Sequence, residues 1–334
     1  MARVTIYDVA GKAKVSLATV SRVLNNPNKV NKETRQRVEA VIKELGYHPN
    51  AIARGLASKK TTTVGIVLSD VTRAATAQLL GGIIDIAKKY NYSIKLFSMA
   101  GDTDIEESIR NVIAEQVDGI IFMNDELDDN EMRIVKERVE EAEIKMVLAN
   151  VYLDSDILPS VMVDYAKAAY EITKELISKG KKDIYMLATV RKYSVNTPKI
   201  AGYKQAMEEA GLEPKVFRTS GDVNINTPHF REFFQGKGVD AALAVRDSIA
   251  VSFMNVMTDL GKKVPDDLSV IGFQNTKYAL LSRPNLTCIY TPVYDIGAVS
   301  MRLLTKLMDP ASDETEESSK HILLPYSVIR RQSM

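Results

Sequence analysis

Cysteine is almost missing from this chain of 334 residues. Cys288 is the single example, so no internal disulfide framework can brace the fold, and one lone thiol fits a reducing cytoplasm. Histidine is nearly as scarce. His48, His229 and His321 are scattered and have no paired acid at useful spacing, which leaves no expected metal site and no histidine-based catalytic pair. No apolar run reaches membrane length and the N-terminus has no signal-peptide core, so no membrane association is expected. The sequence also lacks a G-x-S-x-G elbow, a phosphate-binding loop and a dinucleotide-binding glycine fingerprint. An enzyme therefore has no motif to rest on, and no cofactor is expected.

What is present is ordinary in amount and uneven in placement. Hydrophobic residues make up 45% and charged residues 26%, values of a soluble globular protein long enough for two or three domains. The net charge of +1 hides an asymmetry: residues 1–60 carry +8 and the remainder −7. A strongly basic head on a mildly acidic body is the footprint of a nucleic-acid-binding module attached to a regulatory domain.

The head begins with VTIYDVAGKAKVSLATVSRVLN, residues 4–25. Thr5 stands where a helix cap would, with Asp8 near the positive end of the first helix dipole. Val15-Ser16 makes a turn, and Ser16 is placed to cap a second helix. Val9, Ala10, Val15, Val20 and Val23 can pack inward, leaving Leu17, Ala18, Ser21 and Arg22 outward at the exposed end. Two short helices with a tight turn and a small, polar and basic outer face read as a helix-turn-helix, whose second helix fits the major groove. A packing hairpin with no nucleic-acid role has the same local pattern. After a turn at Asn25–Asn28, Asn31 caps a third helix, Lys32 to Leu45, closed by Gly46. The headpiece is thus expected at residues 1–48.

Residues 49–60 have helical composition, but Gly55 in the middle costs about 1 kcal/mol relative to Ala. We expect a hinge helix that folds when DNA and a second copy hold it; the alternative is a plain interdomain linker, which would more usually be polar and rich in Gly/Ser or Pro. Ala53, Leu56 and Ala57 form its apolar face, and Leu56 is placed to wedge between base steps in the minor groove.

From Thr61 strands alternate with helices. Buried strands are expected at Thr62–Leu68, Ser93–Phe97, Val117–Met123 and Met146–Ala149, with helices at Ala75–Tyr90 and Ile105–Glu115. The alternation then restarts, from a helix at Ala166–Lys179 to a strand at Leu268–Phe273. Such alternation implies parallel sheets covered on both faces, here two doubly wound units with ligand space between them. The first lobe is expected at 61–161 plus 291–321, the second at 162–290 plus 322–334. The acidic clusters Asp125–Asp129 and Asp313–Glu317 read as solvated loops. Late in the chain, Tyr294 to Met308 forms an amphipathic helix with Ile296, Val299, Leu303, Leu304 and Leu307 inward. Asp295, Arg302 and Lys306 share its outer face. Two cations four residues apart repel slightly, which allows an anion between them, although by the residues alone a solvated surface face is the favoured reading.

Taken together, VTIYDVA, VSLATVSRVLN, LGYHPNAIARGLASKKTTTVGI, EQVDGIIFM, VPDDLSVIGF and YDIGAVSMRLLTKLM resemble the lactose/galactose repressor family, most closely its catabolite-control branch. The likeness spans the chain. It implies a periplasmic-binding-protein-like α/β body behind a three-helix DNA-binding domain, and a homodimer on a pseudo-palindromic operator in double-stranded DNA. By that resemblance Leu17, Ala18 and Arg22 read bases, Thr5, Tyr7, Ser16, Thr19, Ser21 and Asn25 fix register on phosphates, and Asn50, Ala53, Leu56 and Ala57 act from the hinge. In this branch the corepressor is serine-phosphorylated HPr, which places Arg302 and Lys306 at its phosphate with Tyr294, Asp295 and Met301 around them.

Departures from the family pattern bear on both ligands. Members that bind sugars carry arginine where this chain has Lys199 and aspartate where it has Gln274, although Asp247 remains. On the HPr side, Gly81 and Ile84 replace the usual arginine and glutamate, and Ala75 and Thr76 replace aromatic residues. The competing expectation is therefore a local sugar-operon repressor released by a small sugar or sugar phosphate bound near Lys199, Asp247 and Gln274. A periplasmic sugar receptor shares the body but lacks a basic head. The chain ends at Met334 without a heptad tail, which favours a dimer over a tetramer.

Overall fold

The structure, a computed structural model, describes residues 4–47, 61–99, 104–153, 158–309 and 321–334. It divides into two compact units, residues 1–61 and 62–334. In the first, α1 (Ile6–Ala13) ends at Lys14 in the left-handed region, φ 52°. The chain then turns through Ser16 into α2 (Leu17–Asn25), passes a short 3-10 turn at Pro27–Lys29 and enters α3 (Lys32–Leu45). Gly46, at φ 58°, closes α3 where a side chain would be strained. Val9, Ala10, Ala13, Val20, Val23, Val38 and Tyr47 form a small common core, with Val15 only half buried. The expected hinge, with Asn50, Ala53, Leu56 and Ala57, lies outside the described residues, as does the acidic run at 313–317.

Among the described residues the second unit has two sheets. The first has the order β11-β5-β4-β3-β1-β2, all parallel, built from β1 (Thr63–Leu68), β2 (Ser93–Ser98), β3 (Gly119–Phe122), β4 (Lys145–Ala149), β5 (Ser160–Val163) and β11 (His321–Leu324). Alternation along β1 assigns the layers. Val64, Ile66 and Leu68 join one core with Leu79 and Ile83 of α4 (Ala74–Lys89). Val67 joins the other, with Ile109 and Val112 of α5 (Ile105–Ala114) and Met132, Val135 and Val139 of α6 (Asp129–Glu141).

The second sheet has the order β12-β10-β9-β8-β6-β7: β6 (Ile184–Thr189), β7 (Lys215–Thr219), β8 (Ala241–Ala244), β9 (Ser269–Gln274), β10 (Thr287–Tyr290) and β12 (Ser327–Ile329). It is parallel except for β12, which runs antiparallel to β10 and so departs from the all-parallel expectation. Its helices are α7 (Tyr165–Ser178), α8 (Asn196–Glu209), α9 (Val223–Phe234), α10 (Asp247–Asp259) and the short α11 (Lys277–Leu281). Phe217, Phe230, Phe233, Phe234 and Phe253 pack ring to ring between β7, α9 and α10, with centroids 4.6–6.2 Å apart. Ser333 is buried and stitches this sheet, its carbonyl accepting from Val270 N–H and its hydroxyl from Thr287 N–H, both at 2.8 Å.

The lobe boundaries shift slightly from those expected. A change at 161/162 would cut β5, and one at 321/322 would cut β11; both strands belong whole to the first sheet. The chain therefore changes lobe after Val163, again after β10, and a third time between Leu324 and Ser327.

The last long helix, α12 (Val293–Leu307), returns to the first lobe and packs tightly on α4. Two glycines set the separation reciprocally. A Cβ on Gly82 would lie 2.0 Å from the Tyr294 carbonyl oxygen, and one on Gly297 would lie 2.1 Å from that of Leu79. Backbone stands against backbone, so neither clash can be relieved by a rotamer change. This seating turns Gly297, Ser300, Met301 and Leu304 inward and leaves Val299, Leu303 and Leu307 only partly buried, so the buried stripe is rotated from the expected one. Gly297→Ala is expected to destabilise the body by roughly 1–3 kcal/mol, read as a lower urea midpoint at unchanged m-value, and Gly81→Ala, whose added Cβ would meet only the Tyr294 ring at 3.7 Å, should be near neutral.

Candidate nucleic-acid interface and interlobe site

On the headpiece, the first-turn Asp8 carboxylate accepts from both the N–H and the hydroxyl of Thr5 at 2.7 Å, which holds its pKa below the ordinary range. Ser16 Oγ accepts from Thr19 N–H at 3.2 Å and lies 2.9 Å from the Thr19 hydroxyl, so the start of α2 is capped as the sequence implies. Val20 and Val23 face the core, which leaves Leu17, Ala18 and Arg22 exposed on one side, with Thr19 and Ser21 half exposed beside them. Tyr7 is 70% exposed and Thr5 exposed on α1. Asn25 ends α2. Exposed polar, basic and small side chains thus stand on both elements of a capped two-helix unit.

In the body, the outer face of α12 carries Tyr294, Asp295, Arg302 and Lys306, all exposed. Tyr294 donates its hydroxyl to Asp85 on α4 at 2.6 Å, bracing this face across the helix pair, and Ile84 is half exposed nearby on α4. Met301 does not belong to the face. It is fully buried, because the glycine contact at Gly297 draws its side of α12 onto the first lobe.

The expected effector residues lie at strand ends in the second lobe but do not line the open cavity. Lys199, on α8, is 1% exposed; its ammonium donates to the Val245 carbonyl at 3.2 Å and lies 4.6 Å and 5.0 Å from the ring centroids of Tyr165 and Phe273. Burial pushes its pKa down to about 7, with Arg246 adding repulsion. Asp247, also 1% exposed, accepts from the N–H and hydroxyl of Thr276 at 2.5 Å and 2.8 Å and from the Cys288 thiol at 3.4 Å. Burial raises its pKa to about 6. Its carboxylate is thus used internally, to hold the turn in which Gln274 and Asn275 take φ of 101° and 64°. Gln274 itself is 7% exposed. Of the three, none faces the cavity, because each is desolvated by the rings and turns packed over it.

That cavity, about 480 Å³, lies between the lobes, and its walls include Glu126, Tyr152, Arg191, Tyr193, Asn196 and Arg218. The acidic residues at and beside it were not legible as a site. Asp125, read in the sequence as part of a solvated loop, is 3% exposed and receives two bonds from Arg73, at 2.6 Å and 2.9 Å. Glu126 pairs with Arg191 from the other lobe. Asp128 caps α6, accepting from Asn130 and Glu131 N–H at 2.9 Å. The sequence signal available was the Asx-type spacing of Asp128 ahead of Glu131; the pairs reaching 52 and 65 residues away leave no local trace. Lys199 gives a stability test. Its folded pKa is lowered, so between about pH 7 and its ordinary 10.5 the unfolded chain holds the extra proton and stability rises with pH. Lys199→Met should therefore be stabilising in urea titrations near pH 7, with an advantage that shrinks toward pH 10.

Comparison with known proteins follows the same division. Residues 5–50 match the family described as bacterial regulatory proteins, lacI family, and residues 173–334 match a periplasmic binding protein-like domain. The chain is 41% identical over 333 residues to the HTH-type transcriptional regulator pepR1 of Lactobacillus delbrueckii subsp. lactis, covering 99% of this chain and 97% of that one. It is 40% identical over 337 residues to catabolite control protein A of Priestia megaterium, with 99% of each covered. The lac repressor dimer bound to operator and the anti-inducer ONPF superposes with a TM-score of 0.89 at 26% identity, covering 99% of both chains. No helix among the described residues is long and apolar enough to cross a membrane. The chain belongs to the lacI family of bacterial regulatory proteins and is a transcriptional regulator, not an enzyme.

Proposed function

We infer that this regulator acts in carbon catabolite control in the cytoplasm, as a homodimer on a pseudo-palindromic operator, with serine-phosphorylated HPr as corepressor. The observation that carries the reading is the α12 face, where Arg302 and Lys306 stand exposed one turn apart on a helix fixed rigidly to α4. A guanidinium and an ammonium at that spacing suit a phosphoserine, with Tyr294 and Asp295 completing the contact. The names of the relatives at about 40% identity support the same assignment.

On DNA, Leu17, Ala18 and Arg22 read base edges while Thr5, Tyr7, Ser16, Thr19, Ser21 and Asn25 hold phosphates. Asn50, Ala53, Leu56 and Ala57 belong to the hinge, with paired Leu56 side chains wedged at the operator dyad. The exposed Leu280 and Leu281 on α11 and Val223 and Ile225 on α9 supply apolar surface for self-association of the second lobes. Corepressor on α12 favours the arrangement of two protomers in which the hinges meet and fold in the minor groove.

A second reading, a local repressor released by a small sugar or sugar phosphate, is favoured by one observation, the cavity of about 480 Å³ with Arg191, Lys192 and Arg218 on one wall. Anisotropy titration of a labelled operator at fixed salt separates the two. The expected result is tighter binding with serine-phosphorylated HPr and loss of that gain in Arg302→Ala. Release by a sugar phosphate with indifference to HPr would establish the second reading. Arg22→Ala should weaken operator binding by about 1–3 kcal/mol in either case, with the corepressor effect intact.

A further inference from the structure

The contacts that close the interlobe cleft are made by the chain's own charged and aromatic groups. Arg73, just ahead of α4 in the first lobe, grips both oxygens of Asp125 at 2.6 Å and 2.9 Å. Its guanidinium also lies 4.6 Å from the ring centroid of Tyr193 in the second lobe, and Arg246 lies 4.3 Å from the same ring. Further bonds run from lobe to lobe, among them Ser194 N–H to the Asp125 carbonyl at 2.6 Å, Tyr152 N–H to Ser194 Oγ at 3.1 Å and Tyr165 hydroxyl to Asn150 Oδ1 at 2.7 Å. Arg191 and Glu126 add an ion pair from lobe to lobe.

We propose that Arg73 is a built-in occupant of the interlobe site, a side chain that holds the carboxylate of Asp125 and the ring of Tyr193 together and makes the closed arrangement the resting state of the body. Asp125 is the nearly buried carboxylate in the loop after β3, where its backbone carbonyl meets Ser194 of the second lobe. Both of its oxygens are already taken by a planar, bidentate donor. The pair is nearly out of water, with side-chain exposures of 15% and 4%. Both partners belong to the first lobe, so opening the cleft leaves the pair intact and breaks the Tyr193 contact. A ligand hydroxyl that displaced Arg73 would instead strand two desolvated charges it cannot compensate. The shared Tyr193 ring then couples the pair to the opposite lobe, since cation–π contacts strengthen as water is removed. A neutral sugar cannot open this lock, and a signal acting on α12 moves a body whose two lobes already travel together. The inference concerns the cleft alone and does not depend on the identity of the corepressor.

Spin-label distance measurement on the full chain tests it. Cys288 is the one native cysteine and is fully buried, so labels go to Asn130→Cys on α6 and Asn224→Cys on α9, both exposed and in different lobes. The expected distribution is a single short separation that neutral sugars leave unchanged. Arg73→Ala should shift it to longer, broader separations, and millimolar methylguanidinium should restore the short one by refilling the vacated site. Tyr193→Leu, which leaves the Arg73–Asp125 pair intact, should open the lobes without responding to methylguanidinium. An unchanged distribution in folded Arg73→Ala would overturn the proposal. Should that variant fail to fold, an unchanged distribution in Tyr193→Leu would overturn it equally.

Discussion

Charge removed from water sets the terms on which the two lobes can meet. Arg73, Asp125, Lys199 and Asp247 are all buried or nearly so where the strands of both sheets end. An unpaired ion in such a place costs several kcal/mol, so each must be met by a partner delivered from elsewhere in the chain. Arg73 meets Asp125 across 52 residues, Asp247 meets Thr276 across 29 and Cys288 across 41, and Lys199 reaches the Val245 carbonyl across 46. These distances explain why the doubly wound order is useful here: it gathers the ends of β1, β3, β6, β8 and β9 at one crevice. The solutions differ in kind. Arg73 keeps its charge and is raised further by Asp125, whereas Lys199 and Asp247 are driven toward their neutral forms by burial.

The headpiece and the strands were legible because their signals are local. Ser16 caps α2 three residues ahead of Thr19, Gly46 stops α3, and runs such as Thr63–Leu68 are apolar on both faces because both faces are covered. What was not legible lies where a polar sequence is used inside. The stretch from Asp125 to Asp129 has the composition of a solvated loop, yet one member is a desolvated ion-pair partner and another a helix cap. Helix α6 follows it unnoticed because its own composition is so charged. Helix α9 is masked by Pro228 in its interior, and is held by the aromatic cluster rather than by propensity. The family resemblance puts Met301 on the partner face, whereas the glycine contact with α4, made far away in sequence, turns its side of α12 inward.

That contact also shapes what the α12 face can transmit. At Gly82 and Gly297 backbone meets backbone, so at that crossing no side chain lies between the two helices to absorb a shift. Tyr294 and Asp85 tie their outer edges as well. A partner of the kind proposed for α12 would therefore act on α4 directly, and α4 begins beside Arg73 at the cleft. Any influence passed along this route is limited to the difference in affinity the partner has for the two arrangements, and it acts equally in reverse.

The threefold crossing between lobes has a consequence for how the protein is made. The first sheet receives its edge strand β11 from residues 321–324, and the second receives β12 and the Ser333 stitch from residues 327–333. On a ribosome, residues 4–47 can collapse into their small helical core as soon as they emerge, since every contact they need is local. Neither lobe has that option. Both must wait, with open sheet edges, for the same short C-terminal stretch, so the DNA-reading end is finished early and the sensing body is completed almost at a stroke. A nascent chain stalled short of residue 321 would carry a folded head on two sheets still lacking an edge, a species suited to chaperone capture rather than to regulation.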